Sequence, residues 1–297
     1  MSAQEIVGFV LKASIMLTLF GFGLQATRQD LLYLLRRPRM LALSLVAMFV
    51  VMPLFAILMT GVAHLNQAVV VALIALSISP IPPLLPKKVN KSGGLASYGL
   101  GLMVTAASFS IVFVPLATYL LGKYFNRPFA MAPGAVAKLI VLSVLVPLAA
   151  GILFRKFAPA TAGRIADPLV KFAGIVLLAG VLCILTFALP TAWSLVGDGT
   201  MIALIAFIVV GLVVGHILGG PDPDERVTLA LSTACRHPAL ALAIAGTNVP
   251  EEHHVLSAVL LYTLLNALLT IPYVALQRRK VKERVTTATV SDRRMAS

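Results

Sequence analysis

Acidic side chains are scarce in this 297-residue chain, and none stands inside a long apolar run. Eleven Asp and Glu face 24 Lys and Arg, for a formal charge of +13, yet charged residues make up only 12% of the whole. The acids, Glu5, Asp30, Asp167, Asp198, Asp222, Asp224, Glu225, Glu251, Glu252, Glu283 and Asp292, fall in loops, at helix ends or in the tail. Cysteine is limited to Cys183 and Cys235, each in an apolar run, so no disulfide framework is implied. Phosphate-cradling glycine loops, metal-ligand clusters and nucleophile elbows are all missing, which argues against an enzyme and against a bound cofactor. A basic n-region and a cleavage site are also lacking before the first apolar run, so that run reads as a retained helix. The basic residues sit in short clusters between apolar runs, where they act as topology signals and not as a nucleic-acid surface.

What is abundant is hydrophobicity, at 59% of residues. That is too apolar for a soluble domain and reads as an all-α polytopic membrane protein in a lipid bilayer. A bilayer core needs about 20 apolar residues per helix. Nine runs qualify: 4–26, 39–60, 66–91, 94–122, 134–156, 167–190, 199–219, 225–249 and 253–277. With the N-terminus outside, eighteen basic residues lie in inner loops and the tail, Lys87, Lys88 and Lys91 among them, and only Lys123 and Arg127 lie outside. The positive-inside bias therefore predicts N-out and C-in in an inner (plasma) membrane. The loop from Thr27 to Arg39 suits a short amphipathic helix on the inner leaflet. Residues 1–277 form the transmembrane domain, and the basic tail 278–297 is expected to lack regular structure and to touch anionic lipid.

Two runs are broken near their middles. One break reads Ser79-Pro80-Ile81-Pro82-Pro83, and the other Cys235-Arg236-His237-Pro238. The third helix runs inward and the eighth outward, with breaks at the same depth. That pattern predicts an inverted repeat, about 4–122 against about 134–277, with a midplane site at the breaks. Single prolines, Pro53, Pro115, Pro147 and Pro272, read as kinks. Pro238 suits the first position of a half-helix whose N–H groups, from Ala239 and Leu240 onward, point positive dipole at the midplane. Arg236 adds a full charge whose forked donors suit an anion. A cation in mid-membrane costs roughly 2.5 kcal/mol or more and marks a functional site. With no carboxylate to balance it, Arg236 must meet an anionic ligand, backbone carbonyls and water, or the interface. Losing it is expected to weaken anion binding while relieving an uncompensated charge.

His237 is the proton-coupling candidate, set against a neutral ring bonded to unwound backbone. Ser77, Ser79, Ser232 and Thr233, with Pro80, complete the substrate-site candidates, set against hydroxyls that bond back to their own helix. The spacing of Gly211, Gly215 and Gly219 beside His216 reads as close helix packing.

These features resemble the bile acid:sodium symporter family. The likeness is carried by Gly21-Phe22-Gly23-Leu24, Asp30-Leu31-Leu32 with a basic pair before Pro38, Met52-Pro53, Ser79-Pro80 and Arg236-His237-Pro238. It implies a panel and a core bundle, two discontinuous crossing helices and alternating access. The breaks depart from the family pattern. Pro80-Ile81-Pro82 and Leu85-Pro86 stand where Pro-Gly-Gly and Ser-Asn are typical, Ser232 stands near a usual glutamate, and Arg236-His237 replaces Gln-Asn. Sodium wants oxygen ligands that these residues do not supply. The leading expectation is a secondary transporter of a small organic anion, with sodium or a proton as the possible coupling ion. The alternatives are a sodium symporter using backbone and hydroxyl oxygens, and a non-transporting receptor or scaffold of the same fold.

Overall fold

Long apolar runs satisfy their backbone polar groups in a bilayer by coiling into helices, and the computed structural model is helical in every predicted run. It describes residues 3–125, 131–195, 197, 199–252 and 254–295, and no strand occurs among them. Arg127, Asp198 and His253 lie outside the described residues. The helices are α1 (Ala3–Gln25), α2 (Arg28–Leu32), α3 (Pro38–Val46), α4 (Met52–Val62), α5 (Gln67–Ile78), α6 (Leu85–Lys91) and α7 (Ala96–Phe125). They continue as α8 (Pro133–Ile140), α9 (Val146–Phe157), α10 (Pro159–Ser194), α11 (Thr200–Leu218), α12 (Pro223–Ala234), α13 (Pro238–Asn248) and α14 (Val255–Met295). A π-turn, Ala47–Val51, joins α3 to α4, and another, Val141–Leu145, joins α8 to α9. Among the described residues, seven helical stretches are long and apolar enough to cross a membrane. The protein is a multi-pass membrane protein, and large apolar side chains such as Leu54, Leu58, Val112, Leu116, Phe172 and Ile175 stand exposed on its flanks.

Local chemistry explains where the structure differs from the sequence reading. The predicted amphipathic helix shrinks to the five residues of α2, closed at its start by a capping box between Thr27 and Asp30. It ends early because Pro38 opens α3 and drives Arg37 out of the helical region, to φ −128 and ψ 71. Pro115 and Pro272 stay inside continuous helices, whereas Pro53 and Pro147 follow the two π-turns, so these last two are more than kinks. The final helix continues past Gln277 to Met295, because neither proline nor glycine occurs there to stop it.

Packing follows the glycines. Helix α1 lies against α9 and α10, and a Cβ on Gly23 would fall 2.2 Å from the Leu148 carbonyl oxygen. The predicted ridge on α11 packs on α12: a Cβ on Gly211, Gly215 or Gly219 would stand 2.8, 2.5 or 2.5 Å from the Cα of Ala234, Ala230 or Arg226. Backbones that meet so closely fix α12 along its whole length. The broken pair α5–α6 and α12–α13 sits inside this frame, α5 against α13 and α12 against α6, with α14 packed on α5, α12 and α13.

Candidate functional site

An α-helical N–H pairs with the carbonyl four residues back, so each proline leaves one carbonyl without a partner. Helix α5 ends at Ile78 and α12 at Ala234, so the Leu76 and Ala234 carbonyls lie in open last turns that Pro80 and Pro238 cannot serve, and the Ser79 carbonyl lies in the unwound segment. In a π-turn the pairing reaches five residues back, so Pro53 orphans Met48. All four carbonyls have found donors. Leu76 accepts from the Ser79 N–H at 3.1 Å and the Ser79 hydroxyl at 2.8 Å. Ala234 accepts from the Tyr262 hydroxyl at 2.6 Å and the Asn266 amide at 2.8 Å. The other two accept from one side chain: Arg236 donates Nη1 to Ser79 at 3.2 Å and Nη2 to Met48 at 2.8 Å. The two breaks also touch directly, because the His237 N–H donates to the Pro80 carbonyl at 2.9 Å.

Arg236 is only 1% exposed and is the largest fully buried side chain among the described residues. Its backbone N–H donates to the Tyr262 hydroxyl at 2.9 Å, and its Nε–H is buried without an acceptor among the described residues. Among the described residues the guanidinium meets carbonyl dipoles and no carboxylate. A second cation approaches from the other side of the crossing. Lys88, at the end of the first broken helix, donates to the Thr270 hydroxyl at 2.6 Å and lies 3.5 Å from Asn266 Oδ1 and 3.6 Å from Cys235 Sγ. Its neighbour Lys87 turns the opposite way, toward the Val170 carbonyl at 3.3 Å.

The other predicted site residues surround this point. The hydroxyls of Ser77, Ser79, Ser232 and Thr233 bond back to Ile74, Leu76, Thr228 and Leu229 at 2.7, 2.8, 2.7 and 2.8 Å. Pro238 opens α13, and the His237 ring caps it, Nδ1 accepting from the Leu240 N–H at 3.4 Å. That role needs the Nδ1 lone pair, so a proton placed there would remove the cap. Pro238 is half-buried and Ala239 exposed.

Cavities approach the crossing from both ends of the bundle. One of about 480 Å³ holds His64, Gln67, Thr118 and Asn248 and reaches down to Ile74 and Ile244. At the opposite, basic end, a cavity of about 320 Å³ lies between α1, α6, α7 and α10, with Lys87, Lys91 and Lys171 facing Asp30 and Asp167. A neighbouring one of about 330 Å³ is lined by Lys88, Thr270 and Arg278. Hydrogen bonds lock this end. Glu225, 4% exposed, is paired with Arg37 and accepts from the Tyr33 hydroxyl. Burial and the adjacent Glu225 carboxylate push the Tyr33 hydroxyl up from its ordinary pKa. Burial alone would raise Asp30, but donors from Ser97 and from the Thr27 hydroxyl and N–H outweigh it and hold the carboxyl below its usual range.

Several residues of this site were not recognised from the sequence. Lys87 and Lys88 read as topology signals because they stand beside a loop. Tyr262 and Asn266 read as ordinary members of the last apolar run. Met48 carried a usable signal: the proline five residues later, where a π-turn would free its carbonyl.

A model of the sodium bile acid symporter family matches residues 13–194, a stretch that contains the first break and stops before the second. A Bacillus subtilis protein named as an uncharacterized sodium-dependent transporter, YocS, is 24% identical over 251 residues, covering 81% of this chain and 75% of that protein. The P3 proteins of Mus musculus and Bos taurus are 28% and 26% identical over 247 and 243 residues, 75% of this chain in each case. The chain spans about half the length of these P3 proteins, 48% of each.

Proposed function

The chain belongs to the sodium bile acid symporter family, a family of transporters and not of enzymes, and from that premise we propose that it carries a small organic anion by alternating access through the crossing of its broken helices. The observation that supports the anion is Arg236: a full positive charge, buried among carbonyl dipoles, with an Nε–H donor left over. Lys88 and the N-terminus of α13 add to the same positive field. The crossing lies between cavities at opposite ends, so opening one while closing the other exposes it alternately. Helices α1, α9 and α10 form the bundle that moves against the rest. In this reading the carrier crosses an inner (plasma) membrane nine times as an inverted repeat, 4–122 and 134–277. Its N-terminus is outside, and the basic tail 278–297 lies in the cytoplasm. Ser77, Ser79, Pro80, Ser232, Thr233, His237, Pro238 and Ala239 line the path once it opens, and His237 is the proton-coupling candidate.

The family and the Bacillus relative favour a second reading, sodium as the coupling ion. Uptake of labelled carboxylates and sulfonates into proteoliposomes, with sodium and pH gradients imposed separately, tests both. Accumulation of at least one anion is expected; no uptake of any of them under either gradient overturns the transporter reading. Topology is tested apart from transport. A reporter fused after Ser297 is expected to be cytoplasmic and one inserted near Asn126 external. An external C-terminus would remove the nine-crossing count and the inverted repeat with it.

A further inference from the structure

In carriers built on broken helices, a coupling cation is held by unwound carbonyls and by the C-terminal ends of half-helices. Here Ser79 is the C-cap of α5 and Ala234 the last residue of α12, and Met48 contributes a third oxygen from its π-turn. Those are the hard oxygens a sodium ion would seek, and each already accepts a side-chain donor. Arg236 bridges Met48 and Ser79, while Tyr262 and Asn266 cover Ala234. On the far side of Ala234, the Asn266 and Thr270 side-chain oxygens face the Lys88 ammonium, 3.5 and 2.6 Å away. A sodium ion entering either position would displace a hydrogen-bonded donor and then sit against a fixed positive charge, which low local dielectric makes strongly unfavourable.

We propose that Arg236 is a tethered cation that takes the place of a coupling sodium ion at the crossing, with Lys88 in the same role on the other side, so that the chain carries its counter-charge for the anion permanently. This rests on the anion-carrier reading above. In such a carrier, the anion meets its positive partner in both facing states without waiting for an ion to bind. The guanidinium supplies what a bound ion supplies elsewhere: it joins the ends of the two broken helices and neutralises their carbonyl dipoles.

Removing the tether should recreate the ion site. In Arg236→Gln the side chain is shorter and neutral, and it cannot reach Met48 and Ser79 together. The experiment compares thermal unfolding of detergent-purified wild type and Arg236→Gln in NaCl and in KCl, each at about 0.15 M, alongside wild-type anion uptake in the two salts. Wild type is expected to unfold at the same temperature in both salts, with uptake changing less than twofold. Arg236→Gln is expected to unfold roughly 3 °C higher in NaCl than in KCl. A sodium-specific rise in wild-type midpoint, or wild-type uptake that collapses in KCl, overturns the tethered cation while leaving the transporter reading intact. A folded Arg236→Gln protein without any sodium response overturns it too. Should that variant not fold, the wild-type arm decides alone. Absent uptake of every anion tells against the carrier reading, and the thermal arm still reads the cation.

Discussion

Arg236→Ala is expected to abolish transport and to lower the stability of the ligand-free protein by about 3 kcal/mol, measured by thermal unfolding in potassium salt. The sign of the stability change follows from the arginine's partners. An arginine without any partner would cost stability, and its loss would be relieving. This one holds the carbonyl of Met48, which Pro53 leaves without a helical donor, and that of Ser79, which lies in the unwound segment after α5. Each buried acceptor left unsatisfied costs about 1–3 kcal/mol, and removing the largest fully buried side chain among the described residues leaves a cavity as well, so the two losses together are expected to exceed the desolvation recovered by deleting one charge. The structure thus reverses the stability gain that a lone buried charge suggests. Arg236→Lys is expected to lie between, because an ammonium retains the charge but cannot fork to both oxygens. A stable Arg236→Ala protein would show that water or rearrangement satisfies both carbonyls. An Arg236→Ala protein that still transports would remove the arginine from the site.

Gly215→Leu is expected to be as damaging, by about 3 kcal/mol or more, although it lines none of the three cavities described above. A Cβ there would already stand 2.5 Å from both the Ala230 Cα and the Leu229 carbonyl oxygen. These are backbone atoms of α12, so relief requires the whole helix to back away from α11. Because α12 ends at Ala234, the shift carries the Tyr262 and Asn266 contacts and the position of Arg236 with it. Loss of both folded protein and transport is therefore expected, read by thermal unfolding and by proteoliposome uptake. Gly134→Leu is the control, since among the described residues a Cβ at Gly134 meets nothing within 4 Å. Wild-type behaviour of Gly215→Leu would mean that α11 and α12 separate freely and that the glycine ridge does not set the crossing.

Much of this molecule is legible in one dimension because bilayer and helix act locally. A run of about 20 apolar residues must coil, and a proline removes a donor wherever it stands. The helical runs, the two breaks, the polarity of the two ends and the glycine ridge on α11 all follow from such rules. The donors that fill the orphaned carbonyls do not follow from them. Arg236 reaches Met48 across 188 positions of sequence, and Lys88 reaches Thr270 across 182. A lysine beside a loop looks the same whether its amine turns outward or folds back under the crossing. Only packing decides, because in a medium without water an unpaired carbonyl takes the nearest available donor, and nearness across the bundle is a property of the assembled helices alone.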